Sequence, residues 1–227
     1  MGFIIILGIF SVIGWFVSSK LKSKFAYYSK IPLSSGMSGY EVGMAMMKYY
    51  NVSNVTIIEG KGRLTDHYNP STRIVALSPE VYHGRSVASA AVAAHEVGHV
   101  VQHSKAYSFL TLRSNLVPIV QFSSRIQQFL FLGFILGVGT GILGQWLILI
   151  ITASFGITAL FTFITLPVEF DASRRALVWL ESTGITVGEE YEGAKDSLWW
   201  AAMTYVAKAL SALVMFVYFL LMIINKK

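Results

Sequence analysis

Residues 126–168, IQQFLFLGFILGVGTGILGQWLILIITASFGITALFTFITLPV, carry no charged side chain. Drawn out as one helix, the 38 residues from Phe129 to Leu166 would measure about 57 Å, against a bilayer hydrocarbon core about 30 Å thick. One straight span does not fit that length, whereas a hairpin of two transmembrane helices does. Its turn is expected near Gly144-Gln145-Trp146, where a glycine, an amide and an interfacial aromatic coincide. Gly133, Gly137 and Gly141, four apart, would let helices approach closely. Pro167 is expected to end the hairpin, and a polar segment follows from Glu169, which should open another helix.

The rest of the chain agrees with a membrane protein. Of 227 residues, 54% are hydrophobic and only 13% charged, about half the usual charged share. Residues 1–19 form a first span. No Lys or Arg precedes it and no small-residue cleavage site follows, so it reads as a retained signal anchor. Lys20, Lys22, Lys24 and Lys30 come directly after it and place the next segment in the cytoplasm. The same lysines account for the net charge of +6 without calling on nucleic acid. A last span is expected over 205–227, with Lys208 snorkelling to the interface.

Between the first span and the hairpin, residues 20–125 read as a small cytoplasmic α+β domain. Ser38-Gly39-Tyr40-Glu41 has capping-box spacing and predicts a helix to about Tyr50, stopped by Asn51. Val55–Glu59 predicts a strand, and Gly60-Lys61-Gly62 a hairpin-like turn after it. Asp66–Thr72 reads as a loop by composition, with Asn69-Pro70 starting a turn. Arg73–Leu77 predicts a short strand, either packed on the core or lying as an edge that pairs with an extended peptide. Ser78-Pro79-Glu80 predicts a helix start. A second cytoplasmic segment, 169–204, contains Gly184 as a helix stop and Thr186/Glu189 at capping-box spacing.

Inside the domain lies His95-Glu96-Val97-Gly98-His99, an H-E-x-x-H motif in an alanine- and valine-rich stretch. On a helix the two imidazoles share a face and can hold one metal ion, while Glu96 is placed to act as a general base on water. With no cysteine anywhere, zinc must take histidine and carboxylate ligands. A third ligand is needed. Lys105 occupies the position where a metzincin would carry its third histidine. His103 is eight residues from His95, about 12 Å along the helix, too far to share an ion and suited to a second-shell or surface role. Glu169 is the better candidate: if 126–168 is a hairpin, the chain returns Glu169 to the side carrying His95 and His99.

Taken together, H95-E-V-G-H99, L64-T-D-H-Y-N-P70, V75-A-L-S-P-E-V-Y82 and L166-P-V-E-F-D-A-S-R174 resemble the YugP-like family of bacterial membrane zinc metallopeptidases. The resemblance covers nearly the whole chain and extends more distantly to HtpX-type and CAAX-type membrane proteases, whose third ligand is a glutamate in an E-x-x-A-D context. Ser173 stands here where those relatives carry the aspartate.

The expectation is a mainly α integral membrane protein with about four transmembrane helices and a zincin-like cytoplasmic domain. It would hold one catalytic Zn²⁺ on His95, His99 and Glu169, with Glu96 as base, in the gluzincin manner. It would cleave membrane-associated or cytoplasmic polypeptides from the plasma membrane, with the lipid bilayer as its other partner; the oligomeric state is left open. His67, Tyr68 and Arg174 are candidates to stabilise the developing oxyanion, and His83 is read as a surface residue. The rival readings are a non-catalytic zinc-binding membrane scaffold, a site-2-type intramembrane protease and a transporter. Too short an apolar run between Arg85 and Lys105 disfavours the second, and only Lys208 and the paired spans support the third.

Overall fold

A computed structural model of the chain describes residues 2–135 and 141–225. Seven helices and three strands are found among them: α1 (Gly2–Tyr28), α2 (Gly39–Tyr49), β1 (Thr56–Glu59), β2 (His67–Asn69), β3 (Ile74–Leu77), α3 (Pro79–Tyr82), α4 (Val87–Ser104), α5 (Ser108–Ile135), α6 (Gly141–Ser182) and α7 (Glu189–Ile224). They form two compact units. One comprises Met1–Phe16, Thr111–Leu166 and Thr204–Lys227, the other Val17–Leu110 and Pro167–Met203.

The first unit is helical. Three described helices have stretches long and apolar enough to cross a membrane, in Gly2–Tyr28, Gly144–Ser182 and Glu189–Ile224. Phe3, Ile151, Met215 and Phe219 form its buried cluster, with Phe155 stacked on Phe219 at 5.4 Å. Ser123 Oγ donates to the Ser154 carbonyl, and Gln127 Nε2 to Thr158 Oγ1, joining α5 to α6. The hairpin turn is not at Gly144-Gln145-Trp146, which are helical; α6 already begins at Gly141, and the chain between α5 and α6 lies outside the described residues, as does Gly137. Gly133 meets nothing within 4 Å. The tight helix approach is instead at Gly156, where a Cβ would sit 3.0 Å from the Phe216 ring. Exposed Lys208 lies 5.4 Å from the Tyr205 ring centroid.

The second unit holds a three-stranded sheet in the order β1-β3-β2. β3 pairs parallel with β1 and antiparallel with β2, in the register Ile57–Val75 and Tyr68–Val75. This corrects three expectations. Gly60-Lys61-Gly62 closes no hairpin, because β1 and β2 are on opposite sides of β3. The 66–72 segment is not all loop: His67–Asn69 is a strand. Asn69 Oδ1 accepts from the Ser71 and Thr72 amides, so the turn starting there joins β2 to β3, with Arg73 at φ 57°. β3 is the central strand, paired on both sides, and cannot add a peptide strand; β2 is an edge.

α2 packs on α4, and Val42, Met46, Ala90, Ala94 and Val97 share one buried core with Val75 and Leu77 of β3. The capping box at α2 is complete: Glu41 N–H donates to Ser38 Oγ, and Ser38 N–H to Glu41 Oε2. Asn51 follows at φ 56° and stops the helix. Pro79 begins α3 as its first residue. The Thr186/Glu189 box does not form. Gly188 at φ 57° precedes the first residue of α7, and the buried Thr186 hydroxyl has no hydrogen-bond partner.

Pro167 does not end a helix. α6 continues through it to Ser182, with Gly184 at φ 69° just beyond, so Glu169 lies in the middle of a continuous helix rather than at the start of a new one. The proline costs roughly 3 kcal/mol locally. After it, Val168, Ala172, Ala176 and Leu180, four apart, are all fully buried, and this apolar stripe holds the helix together across the missing N–H.

Candidate metal centre

α4 presents the motif. Ser86 caps it by accepting the Ser89 amide, and the alanines Ala88, Ala90, Ala91, Ala93 and Ala94 are completely buried. Small side chains let neighbouring elements close around the helix on nearly every side. His95 and His99 project one turn apart, with ring centroids 4.8 Å from each other and ring planes at 83°.

α6 comes in against the same helix. At Gly98 the backbones touch: an added Cβ would lie 2.6 Å from the Ala172 carbonyl oxygen. That approach carries Glu169, 2% exposed, to the two imidazoles. Its Oε2 is 3.4 Å from His95 Nε2 and 3.6 Å from His99 Nε2. All three donor atoms lie within 4.8 Å of one another, the one described group of this kind. A tetrahedral zinc with bonds of about 2.0–2.1 Å sets its ligands roughly 3.3–3.4 Å apart, so the donor set fits that ion in type and spacing.

Glu96 faces the same region of α4 and is buried. Burial pushes its carboxyl up to about 7; the charge of His95 opposes this, while Glu169 and Asp66 push further up and His67 pulls down. A carboxyl poised near neutrality can both take and return a proton.

Around the imidazoles lies a second set of contacts. His95 Nδ1 is 3.1 Å from Ser173 Oγ, and His99 Nδ1 is 3.0 Å from Gln102 Oε1. Gln102 Nε2 donates to the Val168 carbonyl at 2.8 Å and to Asp171 Oδ2 at 2.9 Å. Asp171 in turn accepts from Arg174 and Arg175. Sequence reading passed over Gln102. Its spacing of three from His99 on one helix face was visible; its partners 66 and 69 residues away were not.

The other singled-out residues separate. Tyr68 OH is 2.7 Å from His103 Nδ1, so His103 contacts the edge strand rather than the donor cluster. His83 is exposed and bonds Glu59. The Arg174 side chain is 73% exposed and engaged by Asp171. His67 Nδ1 bonds the Thr65 carbonyl, and its charge is felt by Glu96.

Comparison with known proteins points to the same metal, zinc. A family model described as "putative neutral zinc metallopeptidase" matches residues 3–224. The chain is 41% identical over 206 residues to the "Putative membrane protease YugP" of Bacillus subtilis (strain 168), covering 91% of this chain and 89% of that protein. No solved structure matches it. A match over almost the whole length, together with buried nitrogen and oxygen donors suited to zinc, places the chain in the YugP-like family of neutral zinc metallopeptidases.

Proposed function

We propose that the protein is a membrane zinc endopeptidase of gluzincin type, with His95, His99 and Glu169 as metal ligands and Glu96 as general base. The observation that carries this reading is the convergence of the three donor atoms beside the buried Glu96. Zinc bound there would polarise a substrate carbonyl and lower the pKa of a water towards about 7. Glu96 accepts a proton from the attacking water as its oxygen bonds to the carbonyl carbon. It then delivers that proton to the leaving nitrogen as the C–N bond breaks. The unpaired side of β2 suits an extended peptide, whose main chain would add to the sheet. Of the three oxyanion candidates, Tyr68 is engaged by His103 and Arg174 by Asp171, while His67 bonds the Thr65 carbonyl through Nδ1, leaving its Nε2 to donate to a substrate oxygen.

The arrangement in the cell follows the lysine run after the first span: four spans in the plasma membrane, with 20–125 and 169–204 on the cytoplasmic side. Substrates are then membrane-associated or cytoplasmic polypeptides. The test is cleavage of a casein-like substrate by detergent-purified protein beside its Glu96→Gln variant. The variant should retain zinc and lose hydrolysis. Cleavage that persists in it refutes the base assignment; zinc without hydrolysis in the unaltered protein supports a scaffold instead.

A further inference from the structure

Gln102 is fully buried and every polar hydrogen and the oxygen of its amide has a partner. Two of those partners, the Val168 carbonyl and the Asp171 carboxylate, only accept, and Asp171 is kept an acceptor by the guanidinium groups of Arg174 and Arg175. The NH₂ of Gln102 must therefore face them, and its carbonyl oxygen must face His99 Nδ1. An oxygen there requires a proton on Nδ1, so in the neutral ring the lone pair is on Nε2, the atom aimed at Glu169. Turning the amide over would set oxygen against two oxygens and NH₂ against the imidazole.

His95 is treated differently. Its Nδ1 partner is the Ser173 hydroxyl, which can donate or accept and so imposes no tautomer by itself.

We infer that Gln102 is a positioning residue of the metal centre: it locks His99 in the Nδ1-protonated tautomer, and Asp171 acts on His99 through it. The inference rests on the reading of His95, His99 and Glu169 as zinc ligands only in its second measurement, not in its first.

The first measurement is nitrogen-15 NMR of histidine-labelled, metal-free full-length protein in detergent. The His99 ring should be Nδ1-protonated, and Gln102→Met should release it into a mixture of tautomers. The second is zinc affinity by chelator competition. Gln102→Met should bind zinc about 10–100-fold more weakly, a larger loss than in Ser173→Ala. Asp171→Asn, which leaves the core amide in place, should fall between the parent protein and Gln102→Met, and serves where the methionine variant does not fold. A His99 whose Nδ1 carries no proton in the parent protein, or unchanged zinc affinity in a folded Gln102→Met, overturns the inference. A parent protein that shows the expected tautomer and binds no zinc overturns the ligand reading instead.

Discussion

Gly98 and Ala172 bring two helix backbones into direct contact, with no side chain between the Gly98 α-carbon and the Ala172 carbonyl. The donor cluster depends on that contact, since the histidines are carried by α4 and the glutamate by α6. Gly98→Ala should therefore cost about 1–3 kcal/mol of stability by overpacking. It should also weaken zinc retention, because the backbone must shift at the centre of the site. Thermal unfolding in detergent and metal content after gel filtration measure the two effects.

Glu169→Gln and Glu96→Gln should behave in opposite ways towards metal. Losing a ligand should weaken zinc binding more than the roughly 10–100-fold typical of supporting residues. Losing the base should leave the affinity close to that of the parent protein. Zinc titration of the two variants side by side checks the assignment.

Chelation should abolish cleavage and leave the fold largely intact. The proposed ligands are not part of the hydrophobic cluster shared by α2, α4 and β3, and each fully buried Val or Met in it contributes roughly 1.5–3 kcal/mol. Circular dichroism before and after chelation should change little, and added zinc should restore activity. Unfolding on chelation would point to a structural ion.

His67→Gln should lower kcat by roughly 100-fold, the scale of removing one oxyanion donor, with zinc content unchanged. An equal rise in KM with constant kcat would assign His67 to substrate binding instead.

The α2 cap has its own pH dependence. The Ser38 amide and hydroxyl, with Arg85 assisting, hold the Glu41 carboxyl below its ordinary value of 4.5. A carboxyl lowered in the folded state adds stability above its unfolded pKa and loses it as pH falls through the folded one. The stability gap between the parent protein and Glu41→Gln should thus be constant near neutrality and close below about pH 4.5. Ser38→Ala, which removes the cap hydroxyl, should cost about 1 kcal/mol at neutral pH.

Most local patterns in the sequence led to the right local structures; the Thr186/Glu189 spacing did not, because Gly188 at φ 57° stands directly before α7. The Ser38 box, the Asn51 stop, Pro79 at a helix start and the H-E-x-x-H helix each involve residues within a turn or two of one another. What else was missed depends on distant partners. His67-Tyr68-Asn69 is too short and polar to look like a strand, and becomes one because β3 supplies the ladder. Arg73–Leu77 cannot be told from an edge until β1 is found on its other side. Pro167 reads as a helix end until the buried stripe beyond it is known. Gln102 looks like an ordinary helix residue until α6 brings Asp171 to it. Glu169 was reachable because the uncharged stretch is too long for one crossing, an argument from length rather than from contacts.

The separation of the donors along the chain also governs when the centre can exist. Glu169 follows His99 by 70 residues. At synthesis rates of about 5–20 residues per second, the ribosome needs roughly 4–14 s to add them. During that interval the nascent chain has two histidines and Glu96 but lacks the carboxylate that completes the proposed ligand set. A peptidase assembled in this order stays silent towards its own growing chain and its neighbours at the insertion site until the second helix of the hairpin has been made.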